Sequence, residues 1–340
     1  MVTAMETVQK NQLMELGQAA ELIEQGHTLV ISGEEALLAQ LPNGKWIGGT
    51  IPYFYFKDQP GRMDKSHVFV TDFSDLAEDL KIATYSVETL KNITSNGFDN
   101  GFHFLILPAL RDIHLSFALN APNYEKLFEN PLIGLIAGVD LDEFTDGRLS
   151  KTFDGSTGEA HTDLGVALHV KLPESQAARL EIINVFEGSD AFTLEVEEDG
   201  FVFEECIING KKQNLLDFIQ TNNIDISYPL VSDYGGANVN ISFQRLDEEN
   251  KQVVFYAPLF KDRTYRIAKS FDSYVDTFKA KAQVQLQKEN RIDYNCNCIL
   301  NYVYGGLDKA SIGFSGATTF GEIAYQMLNQ TFTYLTIDEQ

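Results

Sequence analysis

Two periods of apolar residues alternate along this chain, and they predict its helices and strands in turn. Met5, Val8, Leu13, Leu16, Ala20 and Ile23 recur near helical spacing and Gly26 stops the pattern, which predicts an amphipathic helix over 5–25 leading into a strand at 28–32. Short apolar runs at 46–47, 68–73, 103–107 and 132–138 read as strands, whereas 87–96, 111–119 and 123–129 read as helices, the first closed by Gly97. An Ile-Gly step occurs at 47–48, 133–134 and 312–313, a hint of related strand-to-turn units.

Beyond residue 160 the period shortens. Leu164, Val166, Leu168, Val170 and Leu172 alternate with Gly165, Ala167, His169 and Lys171, as a half-buried strand requires. Phe192, Leu194 and Val196 before Asp199-Gly200, with Phe201 and Phe203 after it, predict a hairpin, and Asn209-Gly210 closes the next strand. A helix is expected near 212–221, a bend at Gly235-Gly236, and pairing of Val239, Ile241 and Phe243 with Val253 and Phe255. Phe271, Tyr274, Val275, Phe278, Ala282 and Leu286 trace one face of a long helix, and 293–303 returns as a strand. The mixture predicts an α+β fold of two lobes, with mixed, largely antiparallel sheets and flanking helices, divided at 155/156.

Composition narrows the partners. Of 340 residues 44% are apolar, enough for a sizeable core, and the net charge of −23 repels phosphate backbones and anionic lipid surfaces. Neither nucleic acid nor a membrane is therefore an expected partner. The start lacks a basic region followed by an apolar core, and no later run is long enough to cross a bilayer, so a cytoplasmic protein is expected. Cys206, Cys296 and Cys298 are an odd set, and Cys-x-Cys on a strand suits no internal bridge, so all three are expected to be reduced. The sequons at Asn92, Asn240 and Asn329 then carry no glycan.

Candidate chemistry is sparse. The six histidines show no His-Glu-x-x-His spacing, Cys296 and Cys298 lack two further donors, and no phosphate-binding glycine loop or nucleophile elbow occurs, so neither metal nor nucleotide is expected. Asp140, Asp142, Glu143 and Asp146 have the wrong spacing for a calcium loop and read as a solvated turn. Glu34 and Glu35 follow a strand end, where they suit either a pocket or a helix start. Trp46, Tyr53, Phe54 and Tyr55, near Gly49 and Thr50, suit either an apolar pocket or the core. The richest stretch is 311–323, where Gly313, Gly316 and Gly321 permit tight turns among Ser315, Thr318, Thr319 and Glu322, leaving amides able to cradle a polar group. Cys298 lies upstream, and a carboxylate beside it raises its pKa, which weakens it as a nucleophile.

Gly313-Phe314, Thr319-Phe320-Gly321-Glu322-Ile323 and Asn329-Gln330-Thr331, preceded by Asn295-Cys296-Asn297-Cys298 and followed by apolar 332–337, resemble the C-terminal half of FIST domains, a family of intracellular ligand-sensing modules. The front is similar through Leu29-Val30-Ile31-Ser32-Gly33-Glu34-Glu35 and Trp46-Ile47-Gly48-Gly49-Thr50-Ile51-Pro52-Tyr53. The resemblance implies a FIST N-like lobe over 1–155 and a FIST C-like lobe over 156–340. It further implies a small, amino-acid-like ligand between them, held by Gly49, Thr50, Cys298, Asn301, Gly313, Thr319, Phe320, Gly321 and Glu322. Occupancy would pass to a separate signalling partner. No cofactor is implied, with haem left open because some members are proposed haem sensors. In one departure, the arginine that the family often carries three residues after its cysteine is Asn301 here. The rival expectation is an enzyme using Cys298 or a hydroxyl with Glu322 as acid or base.

Overall fold

In the computed structural model, which describes residues 10–234, 236–286 and 291–340, the chain passes three times through one order of strands. The first pass is β1 (Asn11–Met14), α1 (Leu16–Glu24), β2 (Leu29–Gly33), α2 (Glu35–Leu38), β3 (Trp46–Thr50), a hairpin of β4 (Tyr53–Tyr55) and β5 (Arg62–Met63), then β6 (Val68–Asp72). The second is β7 (Asp79–Tyr85), β8 (Gly101–Pro108), α3 (Asp112–Asn120), β9 (Leu132–Ala137), α4 (Leu141–Thr145), a hairpin of β10 (Thr152–Asp154) and β11 (Glu159–His161), then β12 (Gly165–Lys171).

The third pass opens with β13 (Gln176–Ile183) and is interrupted by an inserted β-rich unit. That unit comprises β14 (Leu194–Glu195), β15 (Gly200–Phe203), β16 (Glu205–Ile208), β17 (Lys211–Asn214), α5 (Leu215–Thr221), β18 (Leu230–Asp233), β19 (Asn238–Ile241), β20 (Phe243–Asp247), β21 (Gln252–Leu259) and β22 (Arg266–Ile267). The pass resumes with α6 (Tyr274–Gln285), β23 (Tyr294–Cys298), α7 (Ile299–Gly305), β24 (Gly316–Thr319), a hairpin of β25 (Glu322–Ala324) and β26 (Gln326–Leu328), and β27 (Phe332–Glu339).

Each pass supplies four strands of a six-stranded sheet, in the orders β1-β6-β2-β3-β10-β11, β7-β12-β8-β9-β25-β26 and β13-β27-β23-β24-β4-β5. The central pairs β2/β3, β8/β9 and β23/β24 are parallel, each joined through a helix as a parallel crossover requires, and the other neighbours are antiparallel. The fold is thus α+β with mixed sheets. Every sheet is completed by a hairpin from another pass: β4–β5 joins the third sheet, β25–β26 the second and β10–β11 the first. Position 155/156 falls in the turn of the β10–β11 hairpin.

Gly48, Gly134 and Gly316 mark one position of this repeat. A Cβ there would lie 3.0, 1.8 and 2.9 Å from the carbonyl oxygens of Ile31, Leu105 and Asn295 on the neighbouring parallel strand. The third counterpart of the Ile-Gly step is therefore Ser315-Gly316, and Ile312-Gly313 lies outside it.

Alternation divides each sheet between two cores. Phe102, Phe104 and Ile106 of β8 meet Val30, Ile47, Phe54, Phe69, Tyr294 and Leu335 in a core shared by all three sheets. Leu105 and Leu107 face the other way, toward α3 and the insertion. Likewise Leu29 and Ile31 pack under α1 and α2, and Phe332 and Tyr334 pack under α6. Burying each such phenylalanine contributes on the order of 1.5–3 kcal/mol.

Several local expectations yield to this tertiary context. Asn11–Met14 pairs with β6 as a strand, and only 16–24 is helical; residues 5–9 of the expected helix, and Gly235 of the expected bend, lie outside the described residues. Residues 87–96 hold a single 3-10 turn at Leu90–Asn92, and 123–129 forms turns. The strands flanking Asp199-Gly200 belong to different sheets, while Asn209 (φ 49°) and Gly210 (φ 76°) form the tight turn between β16 and β17. Phe243 does pair with Phe255, but Val239 and Ile241 pair with β18. The run 293–303 breaks at Cys298 into α7, which Gly306 ends at φ 75°. Strand β12 is covered on both faces, so His169 is buried. No helix among the described residues is long and apolar enough to cross a membrane.

Candidate functional site

Parallel pairing of β23 with β24 sets Asn297 beside Thr318 and Cys298 beside Thr319. Hairpin β25–β26 then brings Glu322 and the turn at 329–331 to the same place. Cys298, Asn301, Thr319 and Glu322 thus meet in one buried cluster with Asn297 and Thr331. The Asn301 amide donates to Asn297 Oδ1 at 2.7 Å, and the Thr319 hydroxyl donates to the Gly321 carbonyl at 3.0 Å. Glu322 Oε1 accepts the Thr331 amide at 3.2 Å, while its Oε2 has no partner. Burial drives the Glu322 carboxyl well above the usual carboxylate range, and burial first, then Glu322, pushes the Cys298 thiol up as well. All three cysteines are buried and free.

The other expected residues are dispersed. Gly49 lies in β3 against Ile106, Ala137 and Leu135, where a Cβ would clash, and the Thr50 hydroxyl accepts the Lys151 amide at 2.9 Å. Gly313 borders a surface depression with Lys10, Lys57 and Arg291. Gly321 has φ 149° and packs against Met327, and its carbonyl also accepts the Ile136 amide. Phe320 lines a cavity, which Glu322 does not reach.

That cavity, of about 170 Å³, lies between the start of α3, helix α4 and helix α7, beside the C-terminal ends of the parallel pairs β8/β9 and β23/β24. Its wall is largely apolar, including Leu141, Phe144, Ile299, Leu300 and Phe320. Two residues of the wall carry a buried polar atom without a partner, His114 Nε2 and Asn329 Oδ1. His114 Nδ1 accepts the Leu110 amide at 3.0 Å, so the neutral ring carries its proton on Nε2. Burial lowers this histidine to about 4. Leu110 holds a left-handed φ of 52°, a conformation costly for leucine and one that clusters at binding sites. Neither His114 nor Asn329 stands out in the sequence as a site residue; only the Asn329-Gln330-Thr331 string marks the neighbourhood.

Helix α4 covers the cavity with Leu141 and Phe144 and is tied down on its polar side. Lys65 Nζ lies 2.6 Å from Asp140 and 2.9 Å from Glu143, and Arg148 bridges Glu143 to Glu34. The Tyr53 hydroxyl donates to Asp140 at 3.3 Å and accepts the Leu141 amide at 3.1 Å. Glu34 and Glu35 start α2 and pair with Arg148 and Lys151. Trp46, Phe54 and Tyr55 lie in the core. Among the described residues no group of three or more His, Cys, Asp or Glu could hold a metal ion.

Residues 14–338 match a family described as "Family of unknown function (DUF6976)". No curated protein and no solved structure matches the chain.

Proposed function

The chain belongs to DUF6976, a family of unknown function, and we propose that it is a small-molecule-binding protein whose ligand fills the cavity under α4. One observation carries this reading: His114 Nε2 and Asn329 Oδ1 are buried without partners on residues of a largely apolar wall that also holds Tyr256 and Tyr304. An unmade hydrogen bond at a buried polar atom costs about 1–3 kcal/mol, and a ligand supplying the missing partners removes that cost. The Leu110 amide fixes the His114 ring, and ion pairs on its solvent side tether α4 over the cavity. Signal input to a separate partner is the role that the likeness of 290–337 to FIST domains suggests. Catalysis by Cys298 with Glu322 has less support, because burial favours the neutral form of both groups and neither lines the cavity.

Native mass spectrometry of the purified chain should reveal a co-purifying molecule that Leu300→Trp, which fills the cavity, removes. The reading fails if wild type and variant carry the same adducts and respond alike to ligands in thermal melts.

A further inference from the structure

Resting on that reading of the cavity, the geometry points to an uncharged carboxamide on a single aromatic or aliphatic ring as its ligand class. Size comes first. At about 170 Å³ the space is smaller than the 300–1,000 Å³ of drug-sized sites and close to the roughly 150 Å³ that accommodates a benzene-sized molecule.

Charge comes next. Every residue lining the cavity is uncharged at neutral pH, His114 included. A carboxylate would enter a strongly acidic protein without a cation to receive it, and an ammonium would find no ionised carboxylate on the wall. Either ion would lose its hydration without compensation.

The polar atoms then choose among neutral groups. His114 Nε2 offers a proton, since Nδ1 already accepts from Leu110, and Asn329 Oδ1 offers only a lone pair. The Tyr256 and Tyr304 hydroxyls on the same wall can each donate or accept and so do not discriminate, which leaves this pair to set the demand for one acceptor and one donor, and a carboxamide supplies both from one planar group. A hydrocarbon would leave both protein atoms unpaired.

The test titrates the full chain at pH 7.5 by calorimetry with benzamide, benzoate, benzylamine and ethylbenzene. Benzamide should bind at least tenfold more tightly than the other three. His114→Phe and Asn329→Leu should each reduce benzamide to the level of ethylbenzene while ethylbenzene still binds, which shows that the variants are folded. Leu300→Trp should abolish binding of both. Benzoate or benzylamine binding as tightly as benzamide overturns the uncharged class. Ethylbenzene matching benzamide overturns the role of the polar pair but keeps the cavity, whereas binding of none of the four overturns the cavity reading itself.

Discussion

His103 Nδ1 lies 2.8 Å from His169 Nδ1 inside the second sheet, and His169 Nε2 is in turn 2.8 Å from the Tyr85 hydroxyl. One proton lies between the two ring nitrogens, so the rings cannot both be charged, and burial lowers His103 to about 4 and His169 to about 3, which keeps both neutral near pH 7.

These depressed values predict acid lability. The unfolded histidines bind protons below about 6.5 while the folded ones stay neutral down to about 4 or 3, so stability is retained above 6.5 and lost as pH falls. Each of His103, His114 and His169 should contribute a slope of about 1.4 kcal/mol per pH unit below 6.5. His67, raised by Asp64, opposes this weakly because it is about a third exposed and its pairs are screened by solvent. Urea midpoints between pH 7 and 4.5 measure the effect, and a flat profile contradicts it.

Glu322 has the opposite sign. Its folded pKa is raised, so keeping it buried costs progressively more as pH climbs above the usual carboxylate value. Glu322→Gln keeps the oxygen that accepts the Thr331 amide and removes the titration. The variant should gain on wild type more at pH 8 than at pH 5, with ligand affinity unchanged. An equal difference at both pH values would remove the carboxyl from this role.

Two of the equivalent glycines should differ in tolerance. Alanine at Gly134 would bring its Cβ within 1.8 Å of a backbone oxygen in mid-sheet, and a loss above about 3 kcal/mol is expected. Gly48→Ala, with 3.0 Å of clearance, should cost about 1 kcal/mol. Denaturant unfolding of both variants tests the ranking.

Helix α4 should open before the rest of the molecule. Lys65→Ala removes contacts to Asp140 and Glu143 that are partly exposed, so global stability should fall by at most about 1 kcal/mol. Hydrogen exchange at 141–145 should nevertheless quicken several-fold. Unchanged exchange there would mean that the apolar contacts of Leu141 and Phe144 alone hold the helix.

The sequence revealed elements whose signal is local. Strands β6, β8 and β9 are built around short apolar runs, and α6 shows its face through Tyr274, Phe278 and Ala282. Partners were harder to read, because nothing within 192–203 states that its two alternating runs join different sheets. The cluster of Cys298, Asn301, Thr319 and Glu322 lies within 295–331, where small and polar residues gather around glycines in the sequence. His114 and Asn329 meet only through tertiary structure, and His114 sits in a helix whose buried residues Ile113, Phe117 and Ala118 read as core.

The exchange of hairpins among the sheets has a consequence for how the chain is made. When residue 72 leaves the ribosome, the first sheet still awaits β10–β11, and the β4–β5 ribbon has no place to dock until β24 follows some 250 residues later. That ribbon carries Tyr53, Phe54 and Tyr55, all buried in the finished protein, so during synthesis it is an exposed aromatic edge. A ring of donated ribbons closes only when its last member arrives. Fragments ending at any repeat should therefore be aggregation-prone clients of chaperones, and damage to one sheet should undo all three together.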